Sequence, residues 1–230
     1  LEFVYPTHKY EYDCIDEDLY HVKSQQINMI CTKNHKLYVE KRHSNEYGFI
    51  EAQDAFGKML RYKKDVKNNY PDQEWINFKT TKYPMDSWLK FLGIYISDGN
   101  VNASSKTIKL CGLKERKREF MMSTCDELHI EYNIIDQGII ISGYKYPDLF
   151  NNLIDKPSYE KYLPEYTWSL SHRQSRILLD SLMSCDGHTY TYKGNPSFQR
   201  YGTSSLNLAN DIQRLAFMCG WSGIIKLDNS

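Results

Sequence analysis

The sequence predicts an α+β chain in two unequal parts: a short β-rich segment, then a longer part built on a repeated helix-and-hairpin unit. Three observations carry that reading. Residues 1–43 are rich in aromatic and β-branched residues broken by polar clusters, the pattern of strands and turns. Residues 65–84 hold two prolines and little periodicity, which places a boundary near residue 81 and gives parts 1–80 and 81–230. From Met85 onward one order of elements occurs twice: a helix ending in Asp-Gly, a hairpin, a helix and a strand. The offset is 88 residues, from Asp98 to Asp186, and it suggests two pseudo-symmetric halves.

Each element follows from local signals. Residues 51–64, EAQDAFGKMLRYKK, predict a short helix stopping near Lys64. Residues 86–99 predict a helix with Asp86 or Ser87 as N-cap and Gly99 as its stop. Residues 100–112 fit a strand pair and 113–130 an amphipathic helix. Residues 132–143 form a hairpin turning at Asp136-Gln137-Gly138, followed by a short helix over 146–154. In the second half, residues 169–187 predict a helix, 188–204 a hairpin turning near Gly194-Asn195, 205–220 a helix and 221–227 a strand. This half stops before its last hairpin strand and final helix. Leu1 is not an initiator methionine, so the start reads as a cut through a longer protein.

Composition narrows the function less. Hydrophobic residues make up 41% of 230, enough for real cores. The charge is balanced, 29 basic against 29 acidic, so any basic surface has to be local. The 19 tyrosines suit half-buried sheets and polar interfaces. None of the six cysteines (Cys14, Cys31, Cys111, Cys125, Cys185, Cys219) sits in a C-x-x-C pair, so they read as reduced core residues and not as a zinc site. No signal peptide and no apolar run of about 18 residues is present, which leaves an intracellular setting as the expectation.

The chemistry concentrates at the two Asp-Gly ends. Gly93 and Ser97 in one helix match Ser181 and Cys185 in the other, small residues four apart on one face. Such faces let two helix backbones approach, with both ends pointing the same way. A helix C-terminus disfavours a carboxylate, and two carboxylates at close range raise each other's pKa. A divalent cation between Asp98 and Asp186 removes both penalties, and oxygen-only ligands point to Mg²⁺. One Asp-Gly alone would be an ordinary helix stop.

These paired motifs, with residues 161–171 (KYLPEYTWSLS) before the second and 200–221 after it, resemble the dodecapeptide motifs of LAGLIDADG homing endonucleases over about residues 86–227. The resemblance implies repeated αββαββα units, the second one truncated here, whose sheets form a saddle on double-stranded DNA and cut it with Mg²⁺. It maps the metal-binding acids onto Asp98 and Asp186 and a catalytic lysine onto Lys161. The family's second such lysine falls beyond the end of this chain. DNA contacts would come from the hairpins: Asn102, Lys106 and Lys109 in the first half, and His188, Tyr190, Tyr192, Lys193, Gln199 and Arg200 in the second.

Residues 1–64 resemble part of an intein (Hint) domain. Thr32-Lys33-Asn34-His35 matches its T-x-x-H block, so Thr32, Asn34 and His35 would hold a scissile peptide. Both splice-junction blocks are absent. The resemblance therefore implies a monomeric, Mg²⁺-dependent site-specific DNA endonuclease inside an intein, with exteins of a host protein as further partners. Two alternatives stay open: a non-cleaving DNA- or RNA-binding module, and a splicing element when the missing ends are supplied.

Overall fold

A computed structural model describes residues 6–13, 18–24, 27–41, 44–63 and 69–228. Two small antiparallel sheets come first. Strands β1 (Leu19–Lys23) and β2 (Asn28–Thr32) pair with Leu19 opposite Thr32. Strand β3 (Lys36–Lys41) lies between β4 (Tyr47–Glu51) and β5 (Leu60–Tyr62). Alternate residues of a strand face one side, and β3 turns Leu37 and Val39 onto a small core with Cys31 and Ala52. The helix expected over 51–64 is a single turn, α1 (Ala52–Ala55). Gly57, at φ 72°, turns the chain back, and Leu60–Tyr62 completes the sheet on β3.

Residues 72–84 pack on the larger core. The hairpin β6 (Trp75–Asn77) and β7 (Lys82–Pro84) lays Ile76, Phe78 and Tyr83 against it. Phe78 and Tyr83 flank the buried Trp88, with ring centroids 5.0 and 6.0 Å away. Asp148 accepts from the amides and hydroxyls of Thr80 and Thr81, and Gln73 exchanges hydrogen bonds with Gln174.

The larger part is mixed α/β. Helix α2 (Met85–Asp98) leads into β8 (Gly99–Asn102), β9 (Thr107–Cys111), α3 (Glu115–Glu127), β10 (Asn133–Ile135), β11 (Gly138–Ser142) and α4 (Pro147–Asn152). Two 3-10 turns follow, at 158–160 and 165–169. Then come α5 (His172–Asp186), β12 (Gly187–Tyr192), β13 (Asn195–Tyr201) and α6 (Leu206–Met218). The first four strands form one antiparallel sheet in the order β10-β11-β9-β8, while β12 and β13 form a separate hairpin. Ile108, Leu110, Ile139 and Ile141 alternate onto the core face of the sheet and are fully buried. Residues 221–227, expected as a strand, pair with no strand among the described residues.

Helix α2 is central, buried from Met85 to Ile96 except at Asp86, Ser87 and Lys90, and it packs along α5. Its expected N-caps serve other partners. Pro84 precedes the helix, Asp86 binds Arg173 and Gln174, and Ser87 donates to Glu127. In α5 and α6 side-chain caps do form, from Ser171 to the Gln174 amide and from Ser205 to the Leu208 amide. Gly99 and Gly187 follow the helix ends in extended backbone, at φ −100° and −84°. Their role is close approach rather than a left-handed turn: a Cβ would lie 2.6 Å from the Tyr95 carbonyl at Gly99 and 2.3 Å from the Met183 carbonyl at Gly187. Cys31, Cys125, Cys185 and Cys219 are buried and unbridged, Cys111 is half-buried, and Cys14 lies outside the described residues. Among the described residues no helix is long and apolar enough to cross a membrane.

Candidate functional site

The small faces meet. A Cβ on Gly93 would lie 2.5 Å from Ser181 Oγ and 3.0 Å from the Leu182 amide nitrogen, and Ser181 Oγ donates to the Lys90 carbonyl at 2.7 Å. With the backbones this close, α2 and α5 run in the same direction and deliver Asp98 and Asp186 to one place. The ammonium of Lys117 marks it. Lys117 Nζ donates to Asp98 Oδ2 at 2.8 Å, to Asp98 Oδ1 at 3.1 Å and to Asp186 Oδ1 at 3.4 Å. Burial opposes the Lys117 charge, but the hydrogen bond and charge of Asp98, with Asp186 behind, keep its pKa above the usual value. Burial and the charge of Asp98 push the Asp186 carboxyl up. Cys185, packed beside the pair, is pushed up to about 12 by burial and by the Asp98 charge, so it stays a thiol.

Lys117 was not expected from the sequence, yet a signal exists. Positions 117, 121, 124 and 125 share one face of α3, and Met121, Thr124 and Cys125 are buried there. A lysine on that stripe has to find an acid. Gly112 leaves room for it, since a Cβ there would lie 3.3 Å from that of Lys117. The neighbouring Arg116 fixes the first turn of α3 by donating to the Ser184 carbonyl near the end of α5.

Lys161 lies at the same helix end but faces the backbone. Its Nζ donates to the carbonyls of Gly99 at 2.7 Å, Ile96 at 2.8 Å and Tyr95 at 3.2 Å, and the residue is 6% exposed. An ammonium has three donors, and all three are used on the last turn of α2. Desolvation lowers its pKa. Ser205 Oγ donates to the Lys161 carbonyl, and the Leu163 amide donates to Asp211, tying this segment to α6.

The residues expected on the hairpins are on the surface and mostly engaged. Asn102 accepts from the Ser105 amide within its own turn. Lys106, at φ 46°, lies over the Tyr144 ring, and Lys109 donates to Gln137 at 2.8 Å. His188 meets the Tyr190 ring edge-on, with centroids 4.5 Å apart, and Tyr190 stacks on Phe198 at 4.4 Å. Gln199 reaches Thr189, Arg200 pairs with Asp228, and Lys193 occupies the turn at φ 50°. The side chain of Tyr192 lies outside the described residues. Thr32 Oγ1 donates to Asn34 Oδ1 at 2.7 Å and the His35 amide donates to the Thr32 carbonyl, so these three close a tight turn after β2.

No family model matches the chain. It is similar to a protein named ATP-dependent Clp protease proteolytic subunit, from Chlamydomonas moewusii, at 30% identity over 251 residues, spanning 96% of this chain and 24% of that protein. It is also similar to a protein named DNA-directed RNA polymerase subunit beta C-terminal section, from Stigeoclonium helveticum, at 28% identity over 278 residues, spanning 97% of this chain and 26% of that protein. The chain thus spans about a quarter of the length of these relatives.

Neither relative bears the name of a homing endonuclease or an intein, and this finding corrects the expectations built on those resemblances. The LAGLIDADG and Hint assignments, the Mg²⁺-dependent DNA endonuclease, its DNA- or RNA-binding and splicing alternatives, and a DNA-bound monomer with exteins as partners are all set aside on it. The activities in the relatives' names are those of proteins about four times longer. Among the described residues His21 bonds Asn28 and His8 bonds the neighbouring exposed Thr7.

Proposed function

We propose that this chain is a segment carried by larger proteins of different activity, with a functional centre of its own: a divalent-cation site, filled by Mg²⁺, held by Asp98 and Asp186. The observation that carries this reading is the single ammonium within hydrogen-bonding reach of both carboxylates, which marks a position where one cation serves two acids. The donor set is all oxygen, as Mg²⁺ requires, and two carboxylates suffice for an ion that keeps several of its waters. Among the described residues no group of three or more His, Cys, Asp or Glu gathers, at these helix ends or elsewhere, so Asp98 and Asp186 would be the only protein acids on the ion. A bound Mg²⁺ supplies Lewis acidity toward an oxygen ligand and lowers the pKa of its water. The chain's own residues set the geometry: Gly93 and Ser181 bring the helices together, and Lys161 pins the end that bears Asp98.

A duplicated unit accounts for the pairing. Gly93 and Ser181 stand 88 residues apart, the same offset as Asp98 and Asp186, and they face each other, as equivalent positions do beside a twofold axis. The division into parts 1–80 and 81–230 belongs to the same proposal. Two differently named relatives sharing one segment at about a quarter of their length favour a module over a piece of either named activity.

Titration calorimetry with Mg²⁺ and Mn²⁺ tests the site. One ion per chain is expected for the unaltered protein, and none for the Asp98→Asn, Asp186→Asn pair. Equal binding by both proteins, or no binding by the unaltered chain, rejects the reading.

A further inference from the structure

We infer that Lys117 is a tethered counter-ion that holds the cation position in the metal-free protein and has to leave when a divalent ion enters. This rests on the cation site proposed above.

Two adjacent like charges without compensation destabilise a fold, and the chain supplies its own compensation beside the half-buried Asp98 and the more exposed Asp186. Lys117 spans Asp98 and Asp186 with a side chain only 13% exposed, so it is partly withdrawn from water. The second lysine cannot replace it, because the three N–H groups of Lys161 are all given to carbonyls. Arg116 cannot either, because its guanidinium is drawn to the Ser184 carbonyl on the outer side. Mg²⁺ sits about 2.0–2.1 Å from its oxygens. An ion bridging the same carboxylates would compete with the Lys117 ammonium for the oxygens it now holds, where like charges repel. Metal and ammonium therefore exclude each other. The tether has freedom to yield: Lys117 stands on the first turn of α3, where a four-carbon stem can swing toward the solvent beside the exposed Lys114 and Leu113.

The consequence is a site weaker than two carboxylates alone would make it, because entry breaks a charge-assisted pair. Such hydrogen bonds contribute about 1.5–3 kcal/mol, so Lys117→Met is expected to tighten Mg²⁺ binding roughly ten- to hundredfold. Lys117→Arg keeps the charge and is expected to bind no more tightly than the unaltered chain.

The experiment is Mg²⁺ titration of the full chain by calorimetry, with the Lys117 side chain followed by NMR in lysine-labelled protein. Tighter binding by Lys117→Met, with a Lys117 resonance that moves to a solvent-exposed position as Mg²⁺ saturates the unaltered chain, supports the inference. Binding to the unaltered chain with Lys117→Met equal or weaker overturns it and leaves the cation site standing. Absence of binding in both proteins overturns the inference and the site together. If Lys117→Met fails to fold, the NMR signal of the unaltered chain decides: a resonance unmoved at saturation refutes displacement.

Discussion

Gly93→Ala places a methyl group where α2 meets α5. Its carbon would lie 2.5 Å from Ser181 Oγ, 2.6 Å from Ser181 Cβ and 3.0 Å from the Leu182 amide nitrogen. The hydroxyl can rotate away; the Cβ and the backbone nitrogen cannot, so the helices have to part. Overpacking of this kind costs about 1–3 kcal/mol, while alanine regains up to about 1 kcal/mol of helix propensity over glycine. A net loss of about 1–2 kcal/mol lowers the melting temperature by about 2–8 °C in a chain of this size. Parting the helices also separates Asp98 from Asp186, so Mg²⁺ affinity is expected to fall with stability. Ser181→Gly removes the two tightest contacts, Oγ and Cβ, and leaves the 3.0 Å approach to the Leu182 amide. Alone it costs the 2.7 Å bond to the Lys90 carbonyl, about 0.5–1.5 kcal/mol, and about 1 kcal/mol of propensity. Combined with Gly93→Ala it is expected to recover stability, with a favourable coupling above about 0.5 kcal/mol. Urea unfolding of the four proteins measures that coupling. Additive effects, or a Gly93→Ala chain as stable as the original, refute close contact at this point.

Other outcomes follow from the same geometry. Lys161→Met leaves three carbonyls at the end of α2 without their donor, and hydrogen exchange at residues 95–99 is expected to speed up by at least tenfold; unchanged protection there contradicts the capping role. The Asp148 carboxyl is held below its ordinary pKa by the Thr80 side chain, then the Thr80 amide and the donors of Thr81, against some burial. A depressed pKa gives stability that is present above the ordinary carboxylate range and lost as the pH falls through the depressed value. Asp148→Asn is therefore expected to melt lower at neutral pH and to lose less on acidification, by thermal melts between pH 2 and 7; parallel curves argue against it. Tyr166→Phe leaves the buried Trp88 Nε1 without its 2.8 Å partner and is expected to cost about 1–3 kcal/mol in urea unfolding. Amides of β3, over a core of four buried residues, are expected to exchange well before those of β9 and β11.

How much of this was legible in the sequence depends on the distance over which each residue acts. The elements of the larger part were readable, because periodicity and turn residues such as Gly138, at φ 145°, act locally. The pairing of α2 with α5 was readable too, since small residues recur at matched positions. The errors fall where tertiary partners decide. Leu60–Tyr62 left a helical pattern to complete a sheet, residues 221–227 pair with no strand among the described residues, and Asp86 went to Arg173 rather than to its own helix. The two aspartates were visible but their contact with Lys117 was not, because it forms only when α3 folds over the end of α5. Lys161 was picked out by resemblance as a catalyst; the structure places its ammonium on backbone carbonyls. Family resemblance carried the functional expectation beyond what the residues themselves supported, and the names of the relatives corrected it.

The most direct test of the cation centre is a crystal of this chain soaked in Mn²⁺ and measured for anomalous scattering. One peak is expected between the Asp98 and Asp186 carboxylates, with the Lys117 nitrogen moved away from both. A saturated crystal with no peak there, and Lys117 still bridging the pair, contradicts a metal function for these two helix ends.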